Sequence, residues 1–326
     1  MTALLEVNQL MKLFPLGGDG GRRRAPRLLH AVDDVSFTVA EGESIGLVGE
    51  SGCGKSTLAR IISRLIEPSD GDVVFQGRNL FTVPLKRFAG SADRAKIQMV
   101  FQDPTDSLNP RFTVFDTISE PLRLLTGIND REQLRTRVRE LAGQVGLPPE
   151  FLGRFPHQLS GGQKARVGIA RAIALHPTLL ILDEPTSALD VSVQAVVLHL
   201  LAELRERLGM SYLFVSHDLN VVRLLCDRVI VMYLGKIVET GPIEEVFQRP
   251  RHPYTQALIS AIPGAPLSGQ RIRLDGEPRS PIDPAPTVCR FVGRCPIATP
   301  KCEQAMPALR AIGARHEVAC HHAASN

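Results

Sequence analysis

Residues 49–57 read GESGCGKST, two glycines five positions apart followed by Lys and Ser. The run SIGLVG before them is continuously apolar and predicts a buried strand, and STLARIISRL after them carries helical spacing. A glycine-rich turn between a buried strand and a helix points backbone amides inward, where the helix N-terminus adds a partial positive charge for phosphate. Gly49, Gly52 and Gly54 allow the turn, Ser51, Cys53 and Thr57 complete the loop, Lys55 is expected to reach the β and γ phosphates, and Ser56 to ligate Mg²⁺. Few other features constrain a fold so strongly, because the loop works only at the end of a strand that is covered on both faces.

A second stretch supplies what such a loop needs. In TLLILDEPTSALD, residues 178–190, four apolar residues lead into Asp183, which places a carboxylate at a strand end where phosphoryl-transfer sites hold Mg²⁺. Glu184 follows at once, and a strand-end neighbour points elsewhere, which suits a base that polarises the attacking water. Between the two stretches, LSGGQ at 159–163 opens the helical pattern KARVGIARAIAL. Ser160 can cap that helix, and Gly161 and Gly162 leave amides uncovered for a second anion site beside Gln163. One loop with two phosphate-seeking helix ends is resolved if a second chain is present and each LSGGQ closes over the nucleotide of its partner.

Further apolar runs, VSFTV, DVVFQG, IQMVF, YLFVS and VIVMY, alternate with helical patterns and predict a three-layer α/β domain. DREQLRTRVRELAGQVG has apolar residues at 134, 138, 141, 142 and 145, and VSVQAVVLHLLAELRERL at 193, 197, 200, 201, 204 and 208. At 326 residues with 44% hydrophobic and 22% charged, the chain has the balance of an ordinary globular protein, and its net charge of +4 selects no partner. No apolar run approaches the roughly 20 residues needed to span a bilayer, and MTALLEVNQLMKLF lacks the parts of a signal peptide, so a cytoplasmic location is expected. Cys53 and Cys226 read as buried fillers, and the RRR at 22–24, among glycines, reads as a solvated loop.

GESGCGKST, LSGGQ, ILDEP and the isolated SHD at 216–218 together resemble the ATPase subunit of ATP-binding cassette transporters, in order and spacing. The resemblance implies an α/β phosphate-loop ATPase over 1–245, with an inserted helical subdomain at about 103–165 that docks a membrane subunit, and a small cysteine-bearing extension over 246–326. It implies ATP and Mg²⁺ as ligands, a head-to-tail dimer in which Ser160, Gly161, Gly162 and Gln163 act in trans, and Asp190 of SALD at the dimer interface. Gln102 of MVFQDP is then the glutamine that couples Mg²⁺ and water, Glu184 the general base, His217 a γ-phosphate contact, and Ser56, Gln102 and Asp183 the Mg²⁺ set. Phe14 matches the aromatic residue that stacks on adenine, although the family more often has Tyr there and the insertion at 17–27 interrupts the alignment. VFQDPTDSLNPRFTV, SEPL and HPYT resemble the oligopeptide and dipeptide importer branch. That branch implies two permease subunits, a second ATPase chain that in this branch is often a different one, an extracytoplasmic binding protein and a place at the cytoplasmic face of the inner membrane. A nucleic-acid-linked cassette ATPase is the rival reading; it lacks the expected coiled-coil insertion or second cassette, so no nucleic-acid partner is expected. The transported substrate is not written in a motor that never touches it.

Cys289, Cys295, Cys302 and Cys320 are separated by five, six and seventeen residues, with Arg290, Arg294, Lys301, Arg310 and Arg315 among them. A reducing compartment argues against disulfides, which leaves a metal or no bound group at all. Structural zinc prefers pairs two to four residues apart, which this spacing lacks, although His316, His321 or His322 could replace one thiolate. Four thiolates also suit a [4Fe-4S] cluster, and the resemblance implies one; the clustered basic residues are expected to offset its charge and keep the thiols ionised. A metal- or redox-sensing tail that regulates the ATPase is compatible with either.

Overall fold

The computed structural model describes residues 3–16, 26–264 and 271–323. The expected loop at 22–24 lies outside these residues. The chain parts into two compact units, one formed by Phe81–Val215 with Ala40–Glu43, the other by Ala3–Val39, Ser44–Leu80 and the chain from Ser216 onward.

In the first unit, strands Ile97–Val100, Leu179–Asp183 and Ser211–Ser216 run parallel, with Leu179–Asp183 in the middle. Every residue of the three is buried, as parallel strands covered on both faces require, which is why their sequences read as unbroken apolar runs. Leu179, Leu180, Ile181 and Leu182 have no solvent exposure, and each such side chain contributes about 1.5–3 kcal/mol by leaving water. A charged residue at Ile181 would forfeit that and bury an unpaired charge.

Helices of this unit follow their caps. Val114–Pro121 starts with a reciprocal capping box between Thr113 and Asp116. Arg131–Gln144 is capped by Asp130, which accepts from the Gln133 amide, and buries Leu134, Val138, Leu141 and Ala142, the stripe that the spacing predicts. Val191–Leu208 buries Val197, Leu198, Leu200, Leu201 and Leu204 and stops at Gly209, whose φ of 62° ends the helix.

The second unit pairs Ser44–Val48 in parallel with Arg228–Tyr233, which turns back through Leu234–Gly235 into antiparallel Lys236–Pro242. The same unit holds a separate four-stranded sheet in the order Arg27–Ala40, Ala3–Leu16, Asp70–Phe75, Arg78–Asn79. VSFTV and DVVF therefore lie in this separate sheet, where Asp70–Phe75 runs antiparallel to both Ala3–Leu16 and Arg78–Asn79, and not beside Ser44–Val48. The reason is visible in Arg27–Ala40, where Val35, Phe37 and Val39 are buried and Asp34, Ser36 and Thr38 are exposed, the mark of a sheet with one face in water. The tail, which shows no sheet-like alternation, adds two strands of two residues each. Glu317–Val318 pairs with Lys236–Pro242, and Arg310–Ala311 pairs with Glu317–Val318. No described helix is long and apolar enough to cross a membrane.

Candidate functional site

In the second unit the loop 49–54 leaves the fully buried strand Ser44–Val48 and opens helix Lys55–Ile62. Gly54 stands at the helix start with φ 107°, and a Cβ there would lie 2.0 Å from the Ala31 carbonyl oxygen, so the chain passes where only glycine fits. Lys55 is buried, and its ammonium donates to the carbonyls of Gly49 at 2.8 Å and Glu50 at 3.0 Å, which ties the loop into a ring. Ser56 and Thr57, half-buried, begin the helix behind it, and Ser51 and Gly52 are exposed at the loop's tip. Cys53 is buried; burial raises its thiol pKa while the Lys55 ammonium pulls it back.

The residue that fixes this loop from outside is Glu50. Its carboxylate takes three contacts from the Arg294 guanidinium, at 2.8, 3.1 and 3.1 Å, and its amide donates to the Tyr254 hydroxyl at 2.8 Å. Sequence reasoning missed this set, because its members lie 204 and 244 residues from Glu50. The only available signal was a tail rich in arginine beside a loop carboxylate. His217 is exposed just past strand Ser211–Ser216, and its neighbour Asp218 caps helix Leu219–Leu225. Phe14, near the end of Ala3–Leu16, stacks under the Lys12 ammonium at 5.0 Å from the ring centre.

In the first unit Asp183 closes the central strand with 1% exposure. Glu184 follows with φ 45°, a left-handed conformation that costs a non-glycine residue on the order of 1–3 kcal/mol, and its amide donates to the Val215 carbonyl at 3.0 Å. That turn swings the Glu184 carboxylate off the strand line, where Gln102 Nε2 donates to it across a long 3.5 Å. The two residues that sequence alone placed 82 positions apart thus meet.

LSGGQ opens helix Gly161–Ile173 with a capping box. The Gln163 amide donates to Ser160 Oγ at 3.3 Å, and the Ser160 amide to Gln163 Oε1 at 2.9 Å. Gly162 abuts the next helix, since a Cβ there would lie 2.5 Å from Val193 Cγ1. Asp190 caps that helix, accepting from the Val193 amide at 2.9 Å and Ser192 Oγ at 2.7 Å, and these donors hold its carboxyl below the usual range. The same unit carries an open groove of about 530 Å³ lined by Arg94, Phe101, Glu120, Leu124, Leu125 and Arg171, with Leu124 75% exposed.

The four tail cysteines gather. None is in a disulfide, the Cys289 amide donates to the Cys302 carbonyl at 2.8 Å, Cys302 Sγ lies 3.6 Å from His322 Nε2, and Cys320 Sγ accepts the His322 amide at 3.4 Å. Burial raises the pKa of Cys289 and Cys295, and the neighbouring thiols push the same way. This corrects the expectation that nearby basic residues keep the thiols ionised. Arg290 pairs with Asp33 and Arg294 with Glu50, so both guanidinium groups are committed elsewhere. Among the described residues no group of three or more His, Cys, Asp or Glu side chains is placed to hold a metal ion, so the thiols do not fit one zinc ion at bonds of about 2.3 Å. His316 is not a spare ligand, because its ring sits between Glu239 at 2.8 Å and Glu245 at 3.2 Å; His321 Nε2 faces the Ala305 carbonyl at 2.8 Å. Cys302 and Cys320 are buried and Cys289 and Cys295 half-buried, and as placed among the described residues they do not form a ready metal or cluster site.

Against known proteins, residues 32–187 match the family described as ABC transporter, and residues 238–302 match the oligopeptide/dipeptide transporter C-terminal region. The chain is 47% identical to the oligopeptide transport ATP-binding protein AppF of Bacillus subtilis, covering 98% of this chain and 97% of that one. It is 47% identical to the oligopeptide transport ATP-binding protein OppF of Escherichia coli, covering 97% and 95%. Among solved structures, a dimeric ATP-binding cassette in a post-hydrolysis state with ADP and phosphate superposes with a TM-score of 0.65 at 30% identity, covering 73% of this chain and 98% of that one.

Proposed function

The chain belongs to the ABC transporter family, as an ATP-hydrolysing subunit that carries the oligopeptide/dipeptide C-terminal region, and from that premise we propose that it powers uptake of oligopeptides or dipeptides. The observation that carries the substrate class is the C-terminal region at 238–302, which follows the ATPase sequence in a single chain that aligns over nearly its full length with AppF and OppF.

Each unit brings its own residues to the reaction. The loop Gly49, Ser51, Gly52, Cys53, Gly54, Lys55, Ser56 and Thr57 receives the phosphates of ATP on its amides and the Lys55 ammonium, with Phe14 against the base. Mg²⁺, when bound, neutralises phosphate charge, with Ser56, Asp183 and Gln102 as its assigned oxygen donors. Glu184 accepts the proton of the attacking water, held in orientation by Gln102, and His217 donates to the γ phosphate. Ser160, Gly161, Gly162 and Gln163 act on the nucleotide of the partner ATPase, and Asp190 lies at that interface. The capping box serves this role, because it consumes the Ser160 and Gln163 amides locally and leaves the glycine amides to face an anion.

Two permease subunits, a second ATPase of different sequence and an extracytoplasmic binding protein complete the importer. The groove beside Leu124 and Leu125 is assigned to a permease helix, since it presents apolar side chains between Arg94, Arg171 and Glu120. Docking there holds the chain at the cytoplasmic face of the inner membrane. Cys289, Cys295, Cys302 and Cys320 are assigned, on the family resemblance alone, to a [4Fe-4S] cluster; they would have to draw together to hold it, and once bound it would tie the tail's segments to one another.

The reading is tested by deleting the gene and measuring uptake of labelled di- and oligopeptides, then restoring either the native chain or Glu184→Gln. Native chain restores uptake. Glu184→Gln fails to, with hydrolysis in the assembled complex down about 10²- to 10⁴-fold, the usual contribution of a general base. Unchanged peptide uptake in the deletion strain overturns the substrate class, and near-normal hydrolysis by Glu184→Gln overturns the assigned base.

A further inference from the structure

We infer that Arg294, in the C-terminal extension, is a positioning residue for the phosphate loop and acts through Glu50. The inference rests on the reading that this loop binds ATP. Glu50 is held at every polar group it owns. Its carboxylate is clamped by Arg294, its amide donates to Tyr254, and its carbonyl accepts from Lys55, the lysine assigned to the phosphates. Arg294 in turn is fixed. Its amide donates to the Phe291 carbonyl at 3.0 Å, its guanidinium lies against the Tyr233 ring at 6.0 Å, and its side chain is 10% exposed.

The support behind it is rigid. Phe291 has 1% exposure and packs edge-on to Tyr233 at 5.2 Å, with Tyr254 at 5.6 Å, so the two residues that grip Glu50 lean on one aromatic core. Arg290, one position before Phe291, is anchored to Asp33, and Asp33 also faces Lys236 at 3.6 Å. The short turn Cys289–Cys295 therefore carries Arg290, Phe291 and Arg294 into the nucleotide-binding part of the same unit, between two of the clustered thiols.

Physically, a fork of guanidinium N–H groups on a carboxylate fixes both the direction and the distance of the loop's second residue. Glu50 then presents its carbonyl to Lys55 from one place, which holds the loop in a single ring before nucleotide arrives. Without the fork the loop samples other shapes, and apparent affinity falls in proportion to the fraction that stays competent. One lost charge-assisted pair of this kind is worth about a decade in such an equilibrium. The chemistry at the γ phosphate does not involve Arg294, so the effect belongs in ATP affinity and KM rather than in kcat.

The experiment measures binding of a fluorescent ATP analogue to the full chain and the KM and kcat of the assembled complex, for the native protein, Arg294→Met, Arg294→Lys, Glu50→Gln and the Arg294→Met/Glu50→Gln double variant. The expected result is an increase in Kd and KM of about tenfold for Arg294→Met with kcat within about twofold. Arg294→Lys, which keeps the charge and loses the fork, is expected between the two. Glu50→Gln should match Arg294→Met, and the double variant should be no worse than either single one, because both remove the same contact. Circular dichroism on each variant checks that the fold is kept, and Glu50→Gln, which leaves the tail sequence untouched, carries the test if Arg294→Met does not fold. Native-like Kd in a folded Arg294→Met or Glu50→Gln overturns the inference, as do additive effects in the double variant. A native chain that binds no nucleotide overturns both this inference and the assignment of the loop.

Discussion

Replacing Gly54 by alanine tests the phosphate loop's geometry against its neighbour Gly52. Both glycines have positive φ, 107° and 79°, so either substitution strains the backbone by about 1–2 kcal/mol. Both also gain the same roughly 0.4–1 kcal/mol from a stiffer unfolded chain, which cancels in the comparison. They differ in space. A Cβ on Gly52 meets nothing within 4 Å, whereas a Cβ on Gly54 lies 2.0 Å from the Ala31 carbonyl oxygen, a backbone atom that cannot rotate away. Overpacking of this kind costs typically about 1–3 kcal/mol, so Gly54→Ala is expected to be less stable than Gly52→Ala by that margin. Guanidinium unfolding of the two chains without nucleotide gives the comparison, read as a lower midpoint at unchanged slope for Gly54→Ala. The strand bearing Ala31 and the helix opened by Lys55 must part to admit the methyl group, so nucleotide affinity should also fall further in Gly54→Ala. Equal midpoints for the two variants would refute the claim that the loop is pressed against Ala31.

Ser160→Arg is expected to leave ATP binding by the isolated chain near native while stopping hydrolysis by the assembled complex, and to cost the helix about 1 kcal/mol through the lost cap; equal loss of binding by the isolated chain would place LSGGQ at its own nucleotide. Purified without oxygen, the protein should carry iron and acid-labile sulfide that Cys302→Ser loses; one equivalent of zinc without sulfide would refute the cluster. His316 lies between Glu239 and Glu245, and these carboxylates raise its pKa against the opposing effect of burial. A raised histidine stabilises the fold fully below its ordinary pKa of about 6.5 and loses that contribution as pH rises through the raised value. The stability difference between native chain and His316→Gln, followed by denaturation across pH 5 to 9, should therefore be largest at the acid end and shrink with rising pH; a difference that grows with pH would refute the pairing. Buried His252, pushed down to about 3, acts oppositely, so His252→Asn should weaken the loss of stability on acidification below about 6.5.

Much of this protein can be read from neighbours in its sequence. SIGLV and LLILD are strands because unbroken apolar runs must be covered on both faces, and the structure buries every residue of each. The caps at Ser160 and Asp190 follow from side chains that reach amides three positions on. These features are local, so the residues that make them are adjacent on the page. Ala3–Leu16 as a long strand was not legible, since its burial alternates only in part and its partner Asp70–Phe75 lies more than fifty residues away. Nor were Arg310–Ala311 and Glu317–Val318, because strands of two residues carry no period and exist only where the Lys236–Pro242 edge offers its backbone. The tail's arginines show the same division. Their number was plain, but whether they face thiolates or carboxylates depends on which surface the turn Cys289–Cys295 is pressed against. Packing of Phe291 on Tyr233 and Tyr254 decides that, and it turns Arg294 to Glu50, 244 residues away.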